Sequence, residues 1–250
     1  MFQPGEECNP GGASLVLAEK PFDGIRRAGR GGRARRTAAG GRDPRVPAGK
    51  YMAASDELRL RIRGTGGHGA MRSQLRDPVA AGAELLTRLI ALNGEECVLS
   101  IGRVEAGGAT NVVPDEVYME GTLRTFDERE RGIIHRRIGI IAADIDKRHG
   151  VRTDVGIGRG YPCVVNDEIL VKKAVALARA EGLSVEMLPL RTTAEDFGFY
   201  CRQYPSLFYR LGVGAAAGRP SYVVVLPRRR GLGRGHRLHA PHGPANFERQ

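Results

Sequence analysis

Tryptophan is absent from this chain, aromatic residues make up only 6%, and four cysteines stand singly at Cys8, Cys97, Cys163 and Cys201. Each scarcity excludes something. Seven Phe, seven Tyr and no Trp leave few rings to stack on bases, and none is interleaved with the arginines, so nucleic acid is a disfavoured partner despite a net charge of +11. Without a Cys-x-x-Cys pair there is neither a zinc knuckle nor a redox motif, and no disulfide is expected in a reducing compartment. No apolar run approaches the ~18 residues of a membrane span, and the first residues lack the basic and apolar regions of a signal peptide. The expectation is a cytoplasmic protein with no membrane partner.

The positive charge is unevenly placed. Residues 26–50 hold nine basic residues and one acidic, and residues 219–250 hold seven and one. Together these segments carry fourteen net positive charges, so the rest of the chain is negative by three. Both segments are rich in Gly and Arg and poor in apolar periodicity, which reads as basic linker and tail.

From residue 56 the pattern becomes regular. The segment DELRLRIRG (56–64) alternates as a half-buried strand does. In DPVAAGAELLTRLIAL (77–92), Asp77 is placed as an N-cap with Pro78 at the first helical position. Strands follow at 95–107 and 116–126, then a helix over 127–150 with acids in its first turn, bases in its last and Gly150 to stop it. A strand over 151–162 closes the unit. This order, strand-helix-strand-strand-helix-strand, predicts a two-layer α/β sandwich of the split βαβ, ferredoxin-like type. Beyond it, residues 166–182 read as a capped helix, 184–190 as a short strand, 194–205 as a loop or short helix, and 207–214 as an apolar strand.

Five motifs occur in order: FQPGEE, GTGGHGAM, GGATNVVPDEVYMEGTLRTF, GYPCVVND and AEDFGFY. With this set the chain resembles the metal-dependent amidohydrolases of the aminoacylase and carboxypeptidase G superfamily, in the branch with hippurate hydrolase and auxin-conjugate hydrolase. The resemblance covers residues 1–25 and about 48–218. It implies a catalytic α/β domain, here 1–55 and 163–218, interrupted by a dimerisation or lid domain at 56–162. It also implies two divalent ions, zinc or manganese, a homodimer paired through an edge strand and a helix of the lid, and N-acyl amino acid or peptide-like substrates.

Amide hydrolysis at neutral pH needs an activated water, a base and a stabilised oxyanion. Paired carboxylates suit the first two tasks. The resemblance makes Glu6 the general base and Glu7 a metal ligand; read alone, the pair is a solvated acidic turn. It makes His68 the residue that reaches into the partner's active site and stabilises the oxyanion, the alternative being a packed or surface imidazole. Asn111 matches an asparagine that contacts substrate across the dimer, or is simply a turn former. Arg124 can meet a substrate carboxylate, although a strand arginine more readily faces solvent. Glu195 and Asp196 line the pocket or hold its loop, and neither is assigned to metal. His135 and His149, on a charged helix, are expected at the surface. Where similar enzymes carry Met-Pro-His after the first histidine, this chain has Met71-Arg72-Ser73.

The resemblance also expects histidine ligands before the glutamate pair, within 26–50 and near the C-terminus. No histidine lies in 26–50. Read one base forward, codons for Ala34–Gly41 permit His-Val-Glu-Pro-Leu-Pro-Val, and those for Pro220–Arg237 permit a Leu-His segment. The expectation is therefore a truncated reading frame, out of frame over 26–48 and 219–250, with little or no hydrolysis of its own. In-frame Leu238–His242 resembles the C-terminal ligand motif but lies about ten residues too far on, which tells against His239 and His242 as ligands.

Overall fold

The structure, a computed structural model, describes residues 12–20, 30–36, 44–47, 49–212 and 226–227. In chain order, α1 (Gly12–Ala18), β1 (Arg30–Arg36), β2 (Pro44–Val46) and β3 (Gly49–Met52) lead into an inserted domain. That domain comprises β4 (Ala54–Arg63), β5 (Gly67–His68), α2 (Pro78–Ile90), β6 (Cys97–Ala106), β7 (Val112–Val113), β8 (Glu116–Thr125), α3 (Glu128–His149) and β9 (Arg152–Arg159). The chain returns through β10 (Val164–Asn166), α4 (Glu168–Ala180), β11 (Glu186–Met187), α5 (Gly198–Gln203), β12 (Ser206–Gly212) and β13 (Leu226–Pro227).

The inserted domain is the predicted split βαβ unit. Its sheet is antiparallel in the order β6-β8-β4-β9. Alternation along β4 sends Leu58, Leu60 and Ile62 to one face, where they meet Leu85 and Leu89 of α2 and Ile138 and Ile145 of α3 in a single core. Each helix starts on an aspartate. Asp77 accepts from the amides of Val79 and Ala80, and Asp127 from those of Arg129 and Glu130. Gly150 ends α3 in the left-handed region, at φ 67°.

The opposite sheet face is a lattice of charges. Arg59, Arg63 and Arg103 bond or pair with Glu57, Glu116, Asp154, Glu105 and Glu120, while Arg61 and Arg103 each lie 5.6 Å from the Tyr118 ring centre. These cations are thus matched by neighbouring carboxylates.

Incoming and outgoing strands meet at one junction. Ser55 N donates to Tyr161 O (2.9 Å) and Gly160 N to Ser55 O (3.0 Å). Beside them the buried Asp56 carboxylate accepts from Arg131 Nε (2.9 Å), Arg131 Nη2 and Gly160 N (3.1 Å), and bonds His135 Nε2 (2.6 Å). His135, expected at the surface, is thus a half-buried member of this cluster, because it sits one turn after Arg131 on the same side of α3. His149 is likewise drawn inward, to Glu84 of α2 at 2.8 Å.

Outside the insertion, β11-β2-β12-β1-β13 form a mixed sheet in which β1 runs parallel to β12. The Arg/Gly-rich stretch read as linker contributes the backbones of β1 and β2. Tyr51, Met52, Val164, Phe197, Tyr200 and Phe208 form the core of this body together with α1. Asn166, from the GYPCVVND motif, is buried and fully used: its amide donates to Pro47 O and Phe208 O and accepts from Phe208 N. Among the described residues, no helix is long and apolar enough to cross a membrane.

Candidate functional site

His68 and Asn111 are forty-three residues apart in sequence and meet in one small ribbon. β5 pairs antiparallel with β7, setting His68 opposite Val112, and Gly69 N donates to Asn111 O at 2.9 Å. Both side chains are exposed. An open groove of about 550 Å³ lies against the ribbon, lined by Gly69, Asp77, Val79, Ala106 and the 108–114 segment. The His68 ring is oriented by its own turn, since Ala70 N donates to its Nδ1 at 3.2 Å.

Arg124 departs from expectation. It is half-buried rather than solvent-facing, and its Nη1 is buried with no hydrogen-bond partner among the described residues. Burial lowers its pKa, opposed only by the charge of Asp56. Arg124 stands opposite Ser55, at the end of the outer sheet face nearest the junction.

Asp196 holds a loop, one of the two roles expected of it. It is buried, and its Oδ2 accepts from Ala13 N (2.9 Å) at the start of α1. Glu6 and Glu7 lie outside the described residues, as do His239 and His242. Among the described residues no group of three His, Cys, Asp or Glu side chains is placed to hold a metal ion. Cys97, Cys163 and Cys201 are free thiols, and burial pushes Cys163 up to about 11 and Cys201 to about 12, so neither is poised as a nucleophile.

A four-stranded sheet backed by two helices, inserted between two parts of an α/β body and carrying an exposed ribbon, defines a lid or dimerisation domain. Residues 54–148 match the peptidase dimerisation domain of the M20 family. Over 218 residues the chain is 29% identical to an N-acetyl-L-cysteine deacetylase of Bacillus subtilis, a match covering 85% of this chain and 52% of that protein. Over 183 residues it is 36% identical to an N-acyl-L-amino acid amidohydrolase of Geobacillus stearothermophilus, covering 66% and 46%. The Bacillus subtilis YXEP protein, described as a dinuclear metal binding peptidase from the M20 family, superposes with a TM-score of 0.72 at 28% identity, covering 84% of this chain and 54% of that one. Residues 54–148 are therefore an M20 peptidase dimerisation domain, and the chain is a homologue of N-acyl amino acid deacetylases and amidohydrolases. It spans about half the length of these curated relatives.

Strand alternation alone does not distinguish the half-buried Arg124, in the GTLRT segment, from the solvated arginines of the same sheet face.

Proposed function

We propose that this chain is part of a metal-dependent hydrolase of amide bonds in N-acyl amino acids, and that its lid supplies oxyanion and substrate contacts to a partner subunit. The observation that carries this reading is the convergence of His68 and Asn111 on one exposed ribbon of a peptidase dimerisation domain. In this reading His68 donates to the oxyanion, Asn111 contacts the acyl-amide, and Arg124 meets the amino-acid carboxylate. Glu6 would be the base and Glu7 a metal ligand, and two divalent ions, zinc or manganese, would when bound polarise the carbonyl and activate the water. Buried free thiols are compatible with a cytoplasmic location.

The homodimer forms through the β6 edge. The outer face of α2 presents Val79, Ala83, Leu86 and Ile90 at helical spacing, Val104 stands on the helix side of β6, and the outer edge of β6 has no strand partner among the described residues. A two-fold axis beside them would continue the sheet and cover the apolar stripe. Light scattering of the full chain is expected to give the mass of two chains. Leu86→Asp with Ile90→Asp is expected to weaken the dimer on the order of a hundredfold, since each carboxylate would be buried without a partner. A monomeric wild-type chain would refute the interface.

Hydrolysis by this 250-residue polypeptide alone is a separate matter. A catalytic zinc ordinarily has three protein ligands, and no histidine stands in 26–50 to join Glu7. With zinc, manganese or cobalt added, the expected result is no metal-dependent release of amino acid from N-acetyl or N-benzoyl substrates. Metal-dependent turnover abolished by Glu6→Gln would overturn that. The out-of-frame origin of 26–48 and 219–250 is proposed on the same basis, and the coding DNA decides it by the presence or absence of histidine codons in the next frame.

A further inference from the structure

The loop that delivers His68 is packed backbone against backbone. A Cβ on Gly64 would lie 1.9 Å from Arg76 O, and one on Gly66 would lie 2.3 Å from Val113 O. Amides held this close need matched acceptors. Gly64 N donates to Asp115 O (2.9 Å), Thr65 and Arg76 exchange both main-chain bonds at 2.9 Å, and Gly66 N donates to the Asp115 side chain, at Oδ1 (2.7 Å). β5 and β7 are two residues each, too short to hold their own register. Among the described residues, Asp115 provides the one side-chain acceptor on the amides of 64–69.

We propose that Asp115 is the positioning residue for His68. Its carboxylate anchors Gly66, Gly66 sets the pairing of Gly67 with Val113 and of His68 with Val112, and that register fixes the point from which the imidazole is presented. The tautomer follows from the same loop. Because Ala70 N–H points at Nδ1, Nδ1 keeps its lone pair and the neutral ring carries hydrogen on Nε2, its outward nitrogen. A neutral Nε2–H is the donor an oxyanion requires. The proposal rests on the reading of His68 as that donor.

NMR of the full chain tests it. In the wild type, a through-bond correlation is expected from the Gly66 amide nitrogen to the Asp115 carboxyl carbon, and the neutral His68 ring should show the Nε2–H tautomer. In Asp115→Ala, amide exchange at Gly66, Gly67 and Gly69 should rise by about tenfold or more and the ring should show mixed tautomers, with Leu58, Leu60 and Ile62 unchanged. Asp115→Asn keeps an acceptor oxygen and should stay within about twofold of wild type. The proposal is overturned by absence of the wild-type correlation, by a ribbon and ring unmoved in Asp115→Ala, or by equal damage in Asp115→Asn. If Asp115→Ala does not fold, the wild-type correlation and Asp115→Asn decide the matter. Failure of the partner-subunit reading shows in the mass of the chain in solution, which enters none of these readouts.

Discussion

Asp56→Ala is expected to lower the unfolding free energy by about 3–5 kcal/mol, followed by denaturant titration with far-ultraviolet circular dichroism. Asp56 is 1% exposed and Arg131 2%, so removing the carboxylate leaves a buried guanidinium with, among the described residues, only the part-exposed Glu128 (3.0 Å) as counter-charge. The double variant Asp56→Leu with Arg131→Met removes both charges and should recover most of the loss, because the desolvation cost disappears with the attraction. A double variant as unstable as the single one would mean that the pair is held for something other than charge balance, such as the bonds to Gly160 and His135 that lock the junction. The cluster also sets an acid limb. Burial by itself would raise the Asp56 carboxyl, but bonding and charge from Arg131, with His135 and Gly160 N assisting, outweigh it and hold the group below its ordinary value. A depressed carboxylate contributes stability that is complete above its unfolded value, about pH 4, and is lost as pH falls through the folded one. Wild-type stability should therefore decline below about pH 4, and Asp56→Asn should flatten that decline.

The cluster marks where sequence reasoning stops. Alternation along β4, the aspartate caps of α2 and α3, and Gly150 as a stop are all legible because each is a local rule acting within one or two turns. Residue type alone puts Arg131 and His135 on a charged outer face, and the structure buries Arg131 and half-buries His135 at the junction. Their phase tells more. Arg131 falls in step with Ile134, Ile138, Ala142 and Ile145, the buried stripe of α3, and a charged residue in an apolar stripe implies a buried partner. That partner lies 75 residues away in sequence, beyond any periodicity. Arg124 shows the converse limit: its face is predictable, but its partial burial on that face is not. The β5–β7 ribbon is invisible for a third reason. Two-residue strands have no period, and the Gly-rich segment before His68 signals freedom of the backbone without naming the carboxylate that uses it up.

Gly121→Val is the second large effect expected, and it acts on the dimer edge. Gly121 lies in β8, at the centre of the sheet, opposite a register shift between Ile101 and Arg103 of β6. There Gly102 is the extra residue of a bulge. A Cβ on Gly121 would stand 2.2 Å from Ser100 O and 2.6 Å from Ile101 Cδ1, and the carbonyl cannot move without β6 moving with it. The bulged strand is also the outer edge proposed to pair across the two-fold. Overfilling of this kind typically costs about 1–3 kcal/mol for a well-packed site, and a backbone clash with a branched residue belongs at the upper end. Gly121→Val should thus melt earlier and associate at least about tenfold more weakly, because a displaced edge can no longer lie flat against its copy. Gly139→Ala is the matched control. It lies on α3, and a Cβ added there would meet nothing within 4 Å, so it should raise stability by up to about 1 kcal/mol through helix propensity and leave the dimer unchanged. A Gly121→Val chain that keeps both wild-type melting and wild-type mass would show that β6 tolerates displacement, and the two-fold would then have to be sought on another face of the lid.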